Sequence, residues 1–375
     1  MTLGYRPALD GIRALAILAV VLGHATGFPA SGYLGVDIFF VLSGFLITTL
    51  LLDERLRTGA VSLRAFYRRR AYRLLPALFF LLAVFVVVSA LGVLANRSPF
   101  DEAIFGVLAG LGYFSNFAIA TEAGARAMPS ELTHLWSLAA EEQFYIVWPA
   151  VLFVVLQGRL RLALGVLVGG LLLTTAEQLR LFFEGASWAR IGFGVDTRST
   201  SILVGCLLAV LLASGARPRV EAAARWVGPP AIVALGILLL WDPGRAVFAG
   251  PLLLAAIGSA MLILLALDTG SLLARALSTP PLVFLGRISY SLYLWHLPVF
   301  VAFGISGSRV ELMDLPALGV ALACAIGSYY LVEMPFLRRK REIGKADAHE
   351  TARETGRRSP DVMSLQPAGH AEATA

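Results

Sequence analysis

Residues 10–25 read DGIRALAILAVVLGHA, an apolar stretch with an arginine near its beginning and a histidine near its end. At about 100° per residue, Arg13, His24 and Asp10 lie on one helix face, with Arg13 and His24 about 20° apart. Along the axis Arg13 and His24 are about 16 Å apart, roughly half the thickness of a bilayer core. Ionisable residues in an apolar span usually face protein or a wet cavity, so this face is a candidate for function. The alternative is a snorkelling arginine and a histidine at the opposite interface.

The composition places the whole chain in the membrane class. Hydrophobic residues make up 58% and charged residues 15%, and the mean hydropathy is +0.76, which excludes an ordinary soluble domain. The net charge of +6 comes from arginines in loops, where orientation rules place them, so a nucleic-acid partner is not expected. Cys206 and Cys324 lie in apolar segments and are expected to be small buried hydrophobes.

The hydropathy pattern predicts an all-α, polytopic membrane helix bundle with about ten transmembrane helices plus one re-entrant or interfacial helix. The re-entrant or interfacial helix is Ile104–Ala120, because a full crossing there would place every later basic loop outside. The first helix is expected to be retained, since Asp10, Arg13 and His24 interrupt the signal-peptide pattern. The predicted spans are 10–27, 34–52, 74–95, 135–157, 162–183, 198–214, 226–241, 248–267, 282–303 and 315–335.

An arginine-rich loop before the third span sets the predicted orientation. Residues 53–73 contain seven arginines, which is the strongest mark of a cytoplasmic loop in the sequence. Both termini are then cytoplasmic. Residues 1–337 are predicted to form one membrane-embedded domain, and residues 338–375 a disordered, basic cytoplasmic tail.

The same loop carries a second candidate site in residues 66–76, FYRRRAYRLLP. Arg70 and Arg73 lie three apart on one face at the predicted start of the third span, with Arg68 and Arg69 beside them. Such a pair at a helix N-terminus, followed by Pro76, predicts a site for anionic phosphate groups. A nucleotide-bearing donor such as coenzyme A would fit there. The alternative is a loop that only sets orientation.

A further group of candidate residues is polar and lies toward the outer ends of the predicted spans. A single polar residue of this kind is usually an anchor at the membrane interface or a core group whose hydrogen bonds are made. Because several such residues lie at the same depth, they predict a polar cavity. Residues 134–149, HLWSLAAEEQFYIVWP, place His134, Glu141 and Tyr145 on one helix face and turn Glu142 away. The other members of the set are His24, Asp37, Asp196, Arg198, Ser289, Tyr293 and His296.

A histidine and a carboxylate in this set predict acid–base chemistry. A carboxylate beside an imidazole keeps it oriented and raises its basicity, which is what a general base for a hydroxyl nucleophile needs. We therefore pair Glu141 with His24. No G-x-S-x-G serine elbow and no cluster with metal-ligand spacing is present in the sequence, which weakens serine-esterase and metalloenzyme interpretations.

Five segments together resemble the acyltransferase 3 family, bacterial integral membrane enzymes that O-acylate surface polysaccharides. The resemblance covers roughly residues 5–337 and implies transfer of an acyl group, commonly acetyl, from cytoplasmic acyl-CoA to a hydroxyl of an extracytoplasmic glycan or lipid-linked sugar. The segments are residues 8–25 (ALDGIRALAILAVVLGHA), 32–48 (GYLGVDIFFVLSGFLIT), 66–78 (FYRRRAYRLLPAL), 134–149 and 285–299 (LGRISYSLYLWHLPV).

The resemblance also implies residue roles. The family's arginine and histidine signature falls on Arg13 and His24, its arginine pair on Arg70 and Arg73, and its glutamate on Glu141. In such proteins the histidine is taken as catalytic and the arginine pair as donor-binding. Many relatives carry a fused soluble esterase-like domain after the last span, whereas here only a short tail follows.

The complete predicted site has three parts. No permanently bound cofactor and no metal is expected, and acyl-CoA is the donor substrate. The catalytic residues are His24, Glu141 and Arg13, the donor-binding residues are Arg70, Arg73 and Arg69, and the substrate-binding residues are Asp37, His134, Tyr145, Arg198, Tyr293 and His296.

Two other functions stay open from the sequence. A proton-coupled transporter could use His24, Glu141 and His296 as a relay. An acyltransferase could also act on a small hydroxylated metabolite, such as a macrolide sugar, instead of an envelope glycan.

Overall fold

The computed structural model describes residues 4–59, 61–92, 99–156, 160–305 and 315–339, and the predicted tail lies almost wholly outside them. Throughout these ranges the regular structure is helical and contains no strand, which confirms the predicted all-α class. The helices are α1 (Pro7–Thr26), α2 (Leu34–Thr58), α3 (Leu63–Ala90), α4 (Phe100–Leu111), α5 (Ser115–Ile119), α6 (Glu122–Ala127), α7 (Leu135–Leu156), α8 (Leu160–Phe183), α9 (Trp188–Phe193), α10 (Val195–Ala213), α11 (Arg217–Leu240), α12 (Pro251–Ala266), α13 (Leu272–Leu277), α14 (Pro280–Phe303) and α15 (Leu315–Ser328).

Eight helices in the described part of the chain are long and apolar enough to cross a membrane, so the chain is a multi-pass membrane protein. They are α1, α2, α3, α7, α8, α10, α11 and the helix Leu315–Arg339, in which α15 continues through a π-helical turn at Tyr329–Glu333. Helix α12 is apolar but shorter, and α14 is long but carries polar side chains. The count of ten crossings needs both of these helices and stays a prediction.

Helix α1 contains the whole of residues 10–25, as predicted. Pro7 occupies the first turn, where its missing N–H leaves no intrahelical bond unmade. Gly27 ends the helix in the left-handed conformation (φ 69°), and its N–H bonds the carbonyl of Gly23. Arg13 and His24 are therefore held by one unbroken helix.

Helix α3 begins eleven residues before the predicted start at 74, at Leu63. Ser62 caps it by accepting a hydrogen bond from the backbone N–H of Ala65. Arginine is a good helix former, so the basic segment continues the helix beyond the apolar part. Arg70 and Arg73 consequently lie two to three turns inside the helix, so their predicted position at a helix N-terminus is wrong, whereas the phosphate site itself stays a prediction.

The predicted re-entrant segment, Ile104–Ala120, is divided between α4 and α5. A turn at Gly112 and Tyr113 separates them, and Tyr113 has a positive φ of 52°. A twelve-residue helix such as α4 is about 18 Å long, too short for a bilayer core of about 30 Å. In α5, Asn116 exchanges amide hydrogen bonds of 2.9 and 3.2 Å with Gln143 of α7. The segment thus packs against protein.

Helices α2 and α10 are in backbone contact through glycines. A Cβ added at Gly44 would lie 2.1 Å from the carbonyl oxygen of Ile202, and one added at Gly205 would lie 2.0 Å from that of Val41. In lipid, helices associate through close van der Waals packing, which small residues permit. The two helices form the interior of the bundle, whereas α8 is mostly exposed toward lipid.

The substitution Gly44→Ala is expected to destabilise the bundle by about 1–3 kcal/mol, because the added methyl group meets a backbone carbonyl that cannot turn away. The matched control is Gly165→Ala in α8, where an added Cβ has nothing within 4 Å. Thermal unfolding of both variants in detergent measures the difference. Equal melting temperatures for the two variants would show that α2 and α10 are not in this contact.

Candidate functional site

Three histidines from three separate segments meet at one end of the bundle. His24 lies near the end of α1, His134 directly precedes α7, and His296 lies in α14. The ring centroid of His296 is 5.2 Å from that of His24 and 5.4 Å from that of His134. Tyr293, one turn before His296, is 5.4 Å from both buried imidazoles. We call His24, His134, Tyr293 and His296 the histidine cluster; the structure brings all four together.

The members of the histidine cluster differ in exposure. The side chain of His24 is exposed to solvent although protein surrounds it on most sides. His134 is 4% exposed and His296 is fully buried. His24 is therefore the imidazole that can meet a substrate, and the other two lie behind it.

Several ring nitrogens of the cluster lack protein partners. Nδ1 of His296 donates to the carbonyl oxygen of Tyr293 (2.6 Å), because a carbonyl can only accept. Its Nε2, like both ring nitrogens of His134, has no hydrogen-bond partner in the described part of the chain. Buried polar groups are normally paired, so unpaired ones indicate a place for water or a ligand.

Ser137 is a member of this network that the sequence analysis missed. Its hydroxyl shares a 2.6 Å hydrogen bond with that of Tyr293. The Tyr293 hydroxyl also donates to the carbonyl oxygen of His134 (2.8 Å), which ties α14 to the beginning of α7. The sequence spacing does indicate this residue, because a serine three residues after His134 lies on the same side of the helix.

A second group of residues, the charged cluster, consists of Arg13, Arg70, Arg73, Glu141 and Glu142. Arg70 forms an ion pair with Glu142 (2.7 Å). Its guanidinium also lies 3.4 Å from the ring centroid of Tyr145, and the Tyr145 hydroxyl donates a short hydrogen bond to Glu141. Arg13 lies within electrostatic range of Glu141 and Arg73.

The two clusters lie at different depths of the bundle. Glu141 is seven positions after His134, about 10 Å along α7, and His24 is eleven positions after Arg13, about 16 Å along α1. Helices α1 and α7 run antiparallel, so the rise along each helix places the charged cluster deeper in the bundle than the histidine cluster. The structure therefore does not bring Glu141 to His24, because the two side chains lie at different depths.

Three other predicted positions change for related reasons. Tyr145 contacts the charged cluster, about three turns below His134. Glu142, which the angular pattern turns away from His134, is the residue that pairs with Arg70. Arg69 pairs with Glu54 of α2 (3.0 Å) instead of joining Arg70.

Nearly the whole chain matches a known protein family. Residues 6–332 match the family described as the acyltransferase domain. The chain belongs to the acyltransferase 3 family. It is similar to O-acetyltransferase OatA of Staphylococcus aureus (strain NCTC 8325 / PS 47), with 32% identity over 359 residues, which is 90% of this chain and 58% of OatA.

A second relative of this acyltransferase family member is YrhL of Bacillus subtilis (strain 168), provisionally named a peptidoglycan O-acetyltransferase. The identity is 34% over 359 residues, covering 88% of this chain and 55% of YrhL. The chain thus spans just over half the length of the curated relatives that it matches. No solved structure matches it.

Two predicted substrate-binding residues of this acyltransferase family member are buried in an ion pair. Arg198 donates to Asp37 (2.8 Å), and their side chains are 3% and 0% exposed. Ser201 donates a second hydrogen bond to Asp37 (2.7 Å), and the Arg198 guanidinium lies 5.3 Å from the ring centroid of Trp136. These contacts join α2 to α10, so we assign Asp37 and Arg198 to the packing of the bundle.

Two further acidic residues form hydrogen bonds within the protein. Asp196 pairs with Arg190 of α9 (2.6 Å), and its hydrogen bonds raise the pKa of the Arg190 guanidinium. Glu333, which the sequence analysis missed, is buried in the π-helical turn and accepts a hydrogen bond from Ser291 (3.0 Å). The signal for Glu333 was its position as the one acidic residue between 315 and 337.

Proposed function

We propose that the chain is a membrane O-acyltransferase that moves an acyl group, with acetyl as the first candidate, from acyl-CoA to a hydroxyl of an extracytoplasmic glycan or lipid-linked sugar. The observation that carries the proposal is the two-level site. One helix presents Arg13 in the charged cluster and His24 in the histidine cluster, about 16 Å apart. The names of OatA and YrhL support acetyl as the group and peptidoglycan as an acceptor class.

The charged cluster suits the phosphates of the donor. Arg70 is compensated by Glu142. Arg13 has acidic groups of α1 and α7 within electrostatic range, and the like charge of Arg73 as well. An anion placed between two guanidinium groups relieves their repulsion and accepts charge-assisted hydrogen bonds. The pantetheine arm of coenzyme A would then run along the α1 face from Arg13 toward His24 and present the thioester carbonyl there.

The histidine cluster suits the transfer step. His24 takes the proton of the acceptor hydroxyl as that oxygen attacks the thioester carbonyl carbon. The carbon–sulfur bond then breaks, and the departing thiolate of coenzyme A takes the proton from His24. We place the charged cluster on the cytoplasmic side of the inner membrane, together with both termini, because the basic beginning of α3 is typical of a cytoplasmic segment.

Removing the charge of Arg73 is expected to raise the apparent KM for acyl-CoA about 10-fold or more, because a charge-assisted hydrogen bond contributes about 1.5–3 kcal/mol. The variant Arg73→Gln is compared with Arg64→Gln, which removes the same charge from an exposed position of the same helix. Initial rates at varied acyl-CoA concentration give both constants. The same donor KM in the two variants would leave the arginines with an orienting role only.

Acetyl-CoA labelled in the acetyl group tests the activity itself. Membranes that contain the full chain are expected to transfer label to glycan, and membranes with His24→Asn are not. Solute uptake driven by a proton gradient without label transfer would replace the proposal with a transporter. Label found only on a small hydroxylated metabolite would keep the reaction but change the acceptor.

A further inference from the structure

His296 contacts His24, at 5.2 Å between ring centroids. It is fully buried, so it cannot touch a sugar or a thioester itself. Its Nδ1 proton is already used in the bond to the Tyr293 carbonyl. A neutral His296 therefore keeps one lone pair, on Nε2, and that atom has no partner among the described residues.

We propose that His296 is the positioning residue for His24, accepting at Nε2 a hydrogen bond from a ring N–H of His24. The proposal rests on the proposed function and assigns the role that the sequence analysis gave to Glu141. At the observed separation a rotation of the exposed His24 ring brings the two nitrogens together, and such bonds often tighten only when substrate binds.

The transfer step places a positive charge on the His24 ring. When the acceptor hydroxyl gives its proton to one nitrogen of His24, the other N–H becomes a stronger donor to Nε2 of His296. This bond stabilises the imidazolium and holds the ring in one orientation, as the buried partner of a catalytic histidine does in hydrolases. The proton returns to the thiolate as the carbon–sulfur bond breaks, and His296 keeps its own proton throughout.

The elements packed against His296 bring it titratable rings and one buried carboxylate, Glu131, which lies in the segment before α7 that packs against α14. The titratable groups that face its ring are His24 from α1, His134 from the segment before α7 and Tyr293 from its own helix. Another acceptor for the His24 ring is the carbonyl of Val20, one turn earlier in α1. The test has to separate His296 from that carbonyl.

Three variants make this separation. His296→Leu removes the acceptor and is expected to lower kcat about 10–100-fold, the usual cost of losing the outer hydrogen-bond partner of a functional histidine, with the KM for donor and acceptor unchanged. His296→Gln places a carbonyl oxygen near the position of Nε2 and is expected to restore most of kcat. Phe300→Leu disturbs the packing around the same ring, 5.8 Å away, and is expected to leave kcat close to that of the original protein.

The pH–rate profile supplies a readout that a packing role does not move. In His296→Leu the acidic limb of kcat/KM is expected to lie at lower pH, because the imidazolium of His24 has lost an acceptor, and in His296→Gln it returns. Unchanged kcat and profile in His296→Leu would assign the role to the Val20 carbonyl and overturn the proposal. Equal loss in the Leu and Gln variants, both monodisperse in detergent, would also overturn it. Failure of the proposed function is distinct, since the unsubstituted protein would then transfer no label.

Discussion

Replacing His24 with asparagine is expected to lower acyl transfer about 10²–10⁴-fold, the range that general acid–base catalysis supplies. The asparagine keeps a polar group of similar size at the open side of the histidine cluster, but it cannot take a proton from a hydroxyl. The loss should therefore fall on kcat, with binding of acyl-CoA at the charged cluster about 16 Å away retained. Steady-state rates with labelled acetyl-CoA, combined with a direct binding measurement, separate the two.

The control for this variant is Leu22→Ala on the same helix. Leu22 is exposed on the surface of the bundle and lies outside both clusters, so its truncation tests only the tolerance of the end of α1. Near-normal transfer by His24→Asn would remove the proposed base. Equal losses in both variants would mean that the end of α1 is needed for folding and not for proton transfer.

The second large effect concerns stability. Asp37→Ala leaves the Arg198 guanidinium buried without its carboxylate partner, and breaking a buried ion pair in this way costs about 3–5 kcal/mol. That is a large share of the 5–15 kcal/mol that usually separates folded from unfolded states. We expect the variant to give little monodisperse protein in detergent and a much lower melting temperature.

A double substitution tests the origin of that loss. Asp37→Leu combined with Arg198→Met removes both charges and keeps apolar volume between α2 and α10, so it is expected to recover much of the lost stability. Recovered stability would show that the loss in Asp37→Ala comes from the uncompensated charge of Arg198 and not from a general need for these two side chains. If the double variant is as unstable as Asp37→Ala, the ion pair is not the cause. If it is stable but inactive, Asp37 or Arg198 returns to the substrate site.

The features that the sequence predicts well are those set within one helix. The spacing of Arg13 and His24 fixed their shared face and their separation, and α1 reproduces both. The polar Ser115 and Asn116 indicated a segment packed against protein, and both are buried. In each case the information lies in the periodicity and composition of a single segment, which needs no knowledge of its neighbours.

The predictions fail where a contact between two side chains depends on the relative height of their helices in the bundle. The angular pattern aligns His134 with Glu141, but a shared face says nothing about which of them meets His24 on another helix. The pairing of Arg70 with Glu142 has the same origin, because it depends on the height of α3 against α7. The early beginning of α3 is different, since the apolar edge of a membrane span is not the end of its helix.

The central claim is that a donor on one side of the membrane and an acceptor on the other meet at His24. Proteoliposomes that hold labelled acetyl-CoA inside, with soluble peptidoglycan fragments outside, test it directly. We predict that label appears on the external fragments, that coenzyme A stays in the lumen, and that His24→Asn abolishes the transfer. Label that moves only when donor and acceptor share one compartment would contradict the account.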